Sequence, residues 1–347
     1  MDIYMRRPCS QHVPAPGLAQ QTVMIPNIQL DKGMVNSISG KGIRHLTADR
    51  ANSITSKTSS RTLIRVAVLI TCFNRREMTL RCLDALFAQD LPNCAVRVFV
   101  VDDASTDGTY DAIAERFPKV QLISGTGDLF WSRGMHMAFG LALAEDFDYY
   151  LLLNDDTFLF KNAISKMLST AHEMKQHGVE PIIVGNTLNP DTKQLSFGGI
   201  LQGQGVWQRT FRMARHNPDR AEACDTMNAN CTLIPRAVAQ RVGNLDKAFQ
   251  HRFGDVDYGL RAKAQGFAIY MAPGFVAECR EDADTGTWRD RNAGFRRRWA
   301  YLNSPKGCPW PEWVLFAKRH LGPLWFLYAV SPFAKVILQS VLNRRLR

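Results

Sequence analysis

Two acidic motifs follow apolar runs in this sequence and are its first candidates for chemistry. Asn154-Asp155-Asp156 ends the run 149–153, and Asp102-Asp103 ends the run 98–101. Continuous apolar runs of this length are typical of strands that are buried on both faces. Parallel strands of an open α/β sheet present their carboxyl ends to one ligand-binding crevice, so both motifs are expected there. Together they predict a divalent cation and a phosphorylated ligand.

Taken separately, each motif also has a purely structural interpretation. Asp102 and Asp103 are compatible with a polar loop that caps a helix, or with hydrogen bonds to a base or a ribose. Asn154-Asp155-Asp156 is compatible with an ordinary acidic turn, or with the hard oxygen ligands that Mg²⁺ and Mn²⁺ prefer. On these residues alone the alternatives stay open.

A third segment, 125–134, contains three glycines together with Trp131 and Arg133 ahead of a predicted helix. It can bring backbone N–H groups, a cation and a helix N-terminus to a diphosphate. The alternative is a flexible loop in which Trp131 packs inward.

The fourth segment is Gly254-Asp255-Val256-Asp257 with Arg261. Asp255 can act as a general base if burial or a neighbouring carboxylate raises its pKa towards neutrality. The alternative is a solvated helix start in which Asp257 pairs with Arg261 one turn later.

Hydrophobic periodicity predicts the elements that must position these four segments. In the first half, helices alternate with strands predicted at 66–71, 98–101, 120–123 and 149–153. This order implies right-handed crossovers and a mainly parallel sheet. The helix after the glycine-rich segment is expected to follow Gly134 and to end near Ala144. The second half is less regular, with a helix near 161–176 and a strand at 182–184.

Charge and cysteine content exclude some classes of protein. The net charge is +11, but the basic excess lies in 1–65 and 286–347, and the middle of the chain is net acidic. The central domain is therefore not expected to bind nucleic acid. None of the eight cysteines forms a C-x-x-C pair, so a zinc site is not expected. The cysteine pattern instead favours a cytoplasmic location. Residues 1–62 are predicted to be a poorly ordered basic leader without a signal peptide.

Together the four segments resemble the inverting family 2 glycosyltransferases with the GT-A fold. The resemblance spans roughly 66–280 and is carried by Thr71-Cys72-Phe73-Asn74-Arg75, the segment 101–109, Asn154-Asp155-Asp156, and Gly254-Asp255-Val256-Asp257 with Arg261. It implies an α/β fold with a mainly parallel central sheet flanked by helices. The expected catalytic domain is 63–285, divided into a donor-nucleotide half (63–157) and an acceptor half (158–285), with a helical extension at 286–347.

The resemblance also implies roles for individual residues. Asp102 and Asp103 would contact the donor nucleotide, with Asp155 also on the substrate side, and Asp156 would ligate the metal that bridges the diphosphate. Asp255 would deprotonate the acceptor hydroxyl. Three further groups would border the donor site: Thr71, Arg75, and the stretch Trp131-Ser132-Arg133-Gly134.

Three residues depart from the family pattern. Gly254 stands where the family commonly has Glu, Cys279 falls near a position where many members carry a metal-associated His, and His136 occupies a position that is often Asn. The segments 286–290 and 304–307 look like a bacterial subgroup with rhamnosyltransferase-like members.

The predicted activity is inverting transfer from a nucleotide-diphosphate sugar, with UDP or dTDP favoured and Mg²⁺ or Mn²⁺ required. The acceptor would be a glycan or a lipid-linked glycan in bacterial surface-polysaccharide synthesis. A nucleotidyltransferase on a similar fold and a non-catalytic membrane-associated scaffold are the alternatives. A dehydrogenase is disfavoured because no G-x-G-x-x-G follows a strand.

The C-terminal segment 310–342 is rich in Trp, Phe and Leu and is flanked by basic residues. Pro323, Pro332 and Lys335 interrupt the apolar run, which disfavours a membrane-spanning helix. An interfacial helix on anionic lipid at the inner face of the cell membrane and a helix packed on the domain are both compatible with the pattern.

Overall fold

A computed structural model describes residues 63–203, 210–281 and 285–345. Fifteen strands and nine helices lie in these ranges. The predicted leader, 1–62, lies outside the described residues.

The strands are short in the second half of the chain and longer in the first. They are β1 (Ile64–Cys72), β2 (Cys94–Asp102), β3 (Gln121–Ser124), β4 (Tyr149–Leu153), β5 (Phe158–Leu159), β6 (Ile182–Val184), β7 (Thr187–Leu188), β8 (Leu195–Phe197), β9 (Gly199–Gln202), β10 (Phe211–Met213), β11 (Glu222–Cys224), β12 (Thr226–Met227), β13 (Cys231–Pro235), β14 (Ile269–Met271) and β15 (Ala277–Glu278). The helices are α1 (Arg76–Phe87), α2 (Thr109–Arg116), α3 (Phe130–Leu143), α4 (Ala163–Gln176), α5 (Arg236–Val242), α6 (Gly254–Ala264), α7 (Phe295–Leu302), α8 (Trp310–His320) and α9 (Trp325–Arg345).

The central sheet has eight strands in the order β11-β14-β6-β13-β4-β1-β2-β3. β1 pairs in parallel with β2 and β4, and β2 pairs in parallel with β3. β13 is antiparallel to both of its neighbours, β4 and β6. The prediction of a mainly parallel α/β sheet flanked by helices is therefore confirmed, with two reversed strands, β13 next to β4 and β11 at the edge beside β14.

Side chains of β1 alternate between two hydrophobic cores, one on each face of the sheet. Ala67 and Leu69 pack in the core that includes α3, whereas Val66, Val68 and Ile70 pack in the core that includes α1 and α4. This two-residue period explains the continuous apolar runs, since a strand covered on both faces has no solvent side. The carboxyl ends of β1, β2 and β4 are thereby fixed at one edge of the sheet.

Helix α3 begins at Phe130, five residues earlier than a helix that follows Gly134 would begin. Trp131, Arg133 and Gly134 therefore lie in helix rather than in a glycine-rich loop. Gly134 is needed for close packing, because a Cβ atom there would lie 2.2 Å from Oγ1 of Thr71 on β1. Glycine inside this helix reflects the approach of strand and helix, not a flexible loop.

Helices α7, α8 and α9 form a third hydrophobic core together with residues of the preceding domain. Trp313 and Phe316 of α8 pack with Phe249 and Phe253, and Leu260 of α6 lies in the same core. The outer face of α9 is apolar and exposed, with Phe326, Leu327, Val330, Ile337, Leu338, Val341 and Leu342 each at least 45% exposed. The predicted extension thus packs on the domain along one face and leaves an apolar face uncovered.

Pro332 lies inside α9 without ending the helix. Proline cannot donate a hydrogen bond to the carbonyl four residues earlier, here that of Tyr328. The indole N–H of Trp313 instead donates to the carbonyls of Tyr328 and Ala329, at 3.3 and 3.1 Å. In the described residues α9 is the one helix long and apolar enough to cross a membrane, with mean hydropathy 1.4 and 22% burial over 325–342.

Candidate active site

The loop after β1 joins the loop after β4 through a single guanidinium group. Nη1 of Arg75 lies 2.9 Å from Oδ1 of Asp155 and 2.8 Å from Oδ2 of Asp156. The parallel β1–β4 pairing places these loops side by side. Burial favours loss of the charge on Arg75, but the two carboxylates outweigh it and raise its pKa, so Arg75 stays a cation.

Asp155 is the more buried member of the acidic pair, with 5% of its surface exposed. Burial raises the pKa of its carboxyl to about 7, against the opposing effect of Arg75. Among the described residues, its Oδ2 atom has no hydrogen-bond partner. A buried carboxylate oxygen without a partner is costly and fits a cation or a proton donor from a ligand.

Asp102 shapes the loop that follows β2. Its Oδ1 atom accepts a hydrogen bond from the backbone N–H of Ser105 at 3.2 Å and a shorter one from the Ser105 hydroxyl. Asn74, from the loop after β1, donates its backbone N–H to Oγ of Ser105 at 2.8 Å and accepts from the backbone N–H of Thr106 at 2.7 Å. Asp102 is 2% exposed, so in this arrangement its carboxylate supports the loop.

Asp103 holds the glycine-rich segment against the end of β2. Its Oδ1 accepts from the backbone N–H of Gly127 at 2.7 Å, and its Oδ2 accepts from the backbone N–H of Phe130 at 3.0 Å. A Cβ atom at Gly125 would lie 2.7 Å from the Asp103 carboxylate, so only glycine allows this approach. The bond to Phe130 satisfies an N–H group at the start of α3, which explains why the helix begins early.

Trp131 and Thr71 face the sheet edge, whereas Arg133 does not. The Nε1–H of Trp131 donates to Oδ1 of Asn154 at 2.7 Å, beside the acidic pair. Thr71 is buried against Gly134 of α3. Arg133 instead donates from Nε to the carbonyl of Lys247 at 3.1 Å and borders a surface groove with His136 and Met137. The described contacts therefore bring Trp131, but not Arg133, to the acidic motif.

Asp255 begins α6 and is held by two backbone N–H groups. Oδ1 accepts from Val256 at 2.8 Å, and Oδ2 accepts from Ala229 at 3.2 Å. Burial raises the pKa of its carboxyl, as a general base requires, while these two bonds oppose that effect. The residue preceding it must be small, because a Cβ atom at Gly254 would lie 2.4 Å from Oγ of Ser132. The Glu that the family commonly has at this position would therefore have no room beside Ser132.

The segment just before β13 connects Asp255 to the acidic motif. Ala229 donates to Asp255, and the carbonyl of Asn230 accepts from the backbone N–H of Asn154 at 3.0 Å. Sequence analysis assigned no role to these residues. Their only signal is the polar run that enters the apolar strand β13, and a sequence pattern does not show that β13 is inserted beside β4.

Cys279 lies beside the predicted metal ligand. Its Sγ atom is 3.7 Å from Oδ1 of Asp156 and 3.5 Å from Nδ2 of Asn230. Burial, followed by the charge of Asp156, raises the pKa of the Cys279 thiol to about 12. The side chain is therefore a neutral thiol at pH 7, and the suspected departure at this position lies in direct contact with Asp156.

Asp257 forms the pair with Arg261 that the sequence left as an alternative, but it is buried there rather than at a solvated helix start. It is fully buried, and Nε of Arg261 lies 2.8 Å from its Oδ2. Arg319 and His320 of α8 each lie 2.7 Å from its Oδ1. Burial alone would raise the pKa of Asp257, but the hydrogen bonds from His320, Arg261 and Arg319 outweigh it and lower the pKa.

The residues around Asp156 fit a divalent cation only in part. In the described ranges no three side chains of His, Cys, Asp or Glu are grouped as ligands of one ion. Mg²⁺ commonly uses one or two carboxylates and takes its other ligands from phosphate and water. Asp156 and the unpartnered Oδ2 atom of Asp155 meet that lower requirement.

Comparison with known proteins agrees with the sequence motifs. The model of a family described as "Glycosyltransferase like family 2" matches residues 64–301. Two curated relatives, N-acetylglucosaminyl-diphospho-decaprenol L-rhamnosyltransferases of two Mycobacterium tuberculosis strains, are 24% identical over 196 residues. The match covers 51% of this chain and 64% of each relative, so the chain spans less than two thirds of their length.

Two solved structures are similar at low identity. The crystal structure of S. aureus TarS has a TM-score of 0.47 and 14% identity, covering 75% of this chain and 44% of that one. The mannosyltransferase PcManGT from Pyrobaculum calidifontis, in complex with GDP-Man and Mn²⁺, has a TM-score of 0.46 and 17% identity, covering 80% and 75%.

Proposed function

The chain belongs to the glycosyltransferase like family 2, and from that premise we propose that it transfers a sugar from a nucleotide-diphosphate donor to a hydroxyl group of a glycan. Membership confirms the resemblance that the four sequence motifs indicate. The α/β architecture with a large central sheet agrees with it.

One structural observation carries the proposal. Segment 229–230 bonds to Asp255 on one side and to Asn154 on the other, so a half-buried carboxyl with a raised pKa adjoins the acidic motif that Arg75 holds. Inverting transfer needs one base and one neutralised leaving group, and it needs no covalent nucleophile. The arrangement supplies candidates for both.

In the proposed reaction, Asp255 accepts the proton of the acceptor hydroxyl as its oxygen attacks the anomeric carbon. The bond from that carbon to the diphosphate breaks, and the configuration at the carbon inverts. Asp102 and Asp103 act on the nucleotide side by fixing the loops 102–107 and 125–130. Thr71, Arg75 and Trp131 border the same edge. Arg133, in the first turn of α3, stays a proposed donor contact, and its Nε bonds to the carbonyl of Lys247.

We propose that Asp156, with Asp155 beside it, holds Mg²⁺ or Mn²⁺. The ion would supply positive charge to the leaving diphosphate. Asp156 is 19% exposed at its side chain and is thus accessible to such a ligand. Arg75 already bonds to both carboxylates, so it must share them with the ion or release them.

The donor and the acceptor are proposed from the relatives and from the tail. The matched relatives are named as L-rhamnosyltransferases that act on N-acetylglucosaminyl-diphospho-decaprenol. We propose a UDP- or dTDP-linked hexose or deoxyhexose as donor and a lipid-linked or polysaccharide acceptor in bacterial surface-polysaccharide synthesis. The exposed apolar face of α9 supports a location at the inner face of the membrane, where such an acceptor would be found.

The test is a panel of UDP-, dTDP- and GDP-sugars incubated with the full chain, Mn²⁺ or Mg²⁺, and a short-chain lipid-diphosphate N-acetylglucosamine acceptor. Release of nucleoside diphosphate together with an inverted anomeric linkage, read by NMR, is expected for one donor. In a parallel incubation with nucleoside triphosphates and sugar 1-phosphates, release of pyrophosphate with formation of a nucleotide-sugar would instead identify a nucleotidyltransferase. Donor binding without any turnover would identify a non-catalytic scaffold.

A further inference from the structure

We propose that helix α8 of the C-terminal extension positions the catalytic base, with Glu312, Phe316 and Arg319 as its positioning residues. The inference rests on the proposed function, because it takes Asp255 to be the base. Three contacts from this single helix reach the chain on both sides of Asp255. The extension is therefore part of the catalytic unit rather than an appendage to it.

The first contact lies two residues after the base. Arg319 donates from Nη1 to Oδ1 of Asp257 at 2.7 Å, and from Nη2 to Oδ2 of Asp246 at 2.9 Å. Asp257 is fully buried, so its charge depends on the cations around it. Arg319 thus ties the first turn of α6 to α8 and to the loop that precedes α6.

The second contact lies two residues before the base. Phe253 has a φ of +71°, a left-handed conformation that costs a bulky residue energy and persists only when its surroundings impose it. Its ring packs 5.0 Å from that of Phe316 and 5.4 Å from that of Trp313, measured between centroids. The backbone turn that aims Asp255 is therefore held in place by aromatic side chains of α8.

The third contact lies five residues before the base. The backbone N–H of Gln250 donates to Oε2 of Glu312 at 3.2 Å, near the start of α8. The carbonyl of Gln250 accepts from the backbone N–H of Ser132 on α3 at 3.0 Å. Residues 250–257 are thus fixed at both ends and at the strained turn by one helix, while Asp255 itself is held by two backbone N–H groups.

Positioning differs from general stability in what a substitution changes. A base displaced by a fraction of an ångström slows transfer without weakening donor binding, because the donor residues lie at the ends of β1, β2 and β4. Arg319→Ala leaves Asp257 with Arg261 and His320, so the fold is expected to persist. Arg319→Lys restores the charge, and the exposed neighbour Lys318 offers the matched control Lys318→Ala.

The experiment measures turnover, donor affinity and amide hydrogen exchange in these three variants and in Glu312→Ala, which removes the acceptor of the Gln250 N–H. For Arg319→Ala and Glu312→Ala we expect kcat to fall by about ten- to a hundredfold while donor Kd stays within about twofold. Amides of residues 253–258 should exchange about tenfold faster. Arg319→Lys should recover part of kcat, and Lys318→Ala should match the unsubstituted protein.

Amide hydrogen exchange and turnover together distinguish a wrong activity from a wrong positioning role. If the unsubstituted protein transfers no sugar but Arg319→Ala still loosens 253–258, the proposed activity is wrong while the structural coupling stands. If Arg319→Ala matches Lys318→Ala in exchange and turnover, the positioning role is wrong. The role is equally excluded if donor affinity and kcat fall together, because that pattern indicates general loosening of the domain.

Discussion

Arg75 forms an ion pair with Asp156, with Nη1 2.8 Å from Oδ2, at the residue that the sequence predicts as a metal ligand. The same nitrogen lies 2.9 Å from Oδ1 of Asp155. A guanidinium and a divalent ion would draw on the same two negative charges. The binding of metal and the position of Arg75 should therefore be coupled.

Replacing Arg75 tests that coupling. Arg75→Gln leaves two neighbouring carboxylates without their cation, which should lower the free energy of unfolding by about 1–2 kcal/mol, a modest cost because the arginine side chain is 39% exposed. Mn²⁺ should restore more stability to this variant than to the unsubstituted protein. Thermal unfolding with and without Mn²⁺ measures both effects, and the exposed neighbour Arg76→Gln is the control. An equal response of both variants to Mn²⁺ would contradict the coupling.

Replacing Asp255 tests the proposed base. Asp255→Asn keeps the shape of the side chain but cannot accept the proton, so transfer should fall by about 10²- to 10⁴-fold with donor affinity unchanged. A base works only when deprotonated, and burial raises the pKa of Asp255 above its usual 3.8. Activity should therefore decline as the pH falls through a value above 3.8, in a profile of kcat against pH. Substantial transfer by Asp255→Asn would exclude the assignment.

Replacing Cys279 tests what the thiol does to the ion. A neutral thiol 3.7 Å from Oδ1 of Asp156 is a poor neighbour for Mg²⁺, which prefers oxygen. Cys279→Ser should raise affinity for Mg²⁺ in the presence of nucleoside diphosphate by about tenfold, with a smaller effect on Mn²⁺. Isothermal calorimetry with each ion measures this, and Cys231→Ala is the control for loss of a buried thiol. Unchanged Mg²⁺ affinity would show that Cys279 lies outside the ion's reach.

Replacing exposed residues of α9 tests membrane contact. Leu338→Glu and Leu342→Glu place charge on side chains that are 62% and 57% exposed, so folding should be unaffected. Co-sedimentation with anionic liposomes should fall, and added salt should weaken the binding of the unsubstituted protein. Leu63→Glu, at a residue 53% exposed outside α9, is the matched control. Equal sedimentation of all variants would show that the apolar face of α9 does not bind the membrane and would point to another partner, such as a second copy of the chain.

The first half of the fold could be predicted because local pattern and tertiary environment agree there. Tyr149–Leu153 is a strand with the bounds that its apolar run predicts, and in the second half β6 coincides with the predicted 182–184. β13 was not predicted, because an antiparallel strand inserted beside β4 depends on a partner far away in sequence. The start of α3 was misplaced because the side chain that caps it, Asp103, belongs to a different loop.

The sequence provided candidate residues for the site but not the contacts among them. The resemblance to the family 2 glycosyltransferases, more than spacing, made Asp155, Asp156 and Asp255 candidates, and their roles stay predictions. The pairing of Arg75 with both carboxylates could not be foreseen, because Arg75 lies about eighty positions away from them. The role of α8 was hidden for the same reason, since Arg319 and Asp257 are separated by 62 residues.

The indole of Trp313 has a consequence for orientation. By bonding to two carbonyls beside Pro332, it fixes the rotation of α9 about its own axis relative to α8. Because α8 in turn contacts the segment around Asp255, α9 is linked to the proposed base through α8. A surface that binds the apolar face of α9 would therefore hold the whole protein in one orientation.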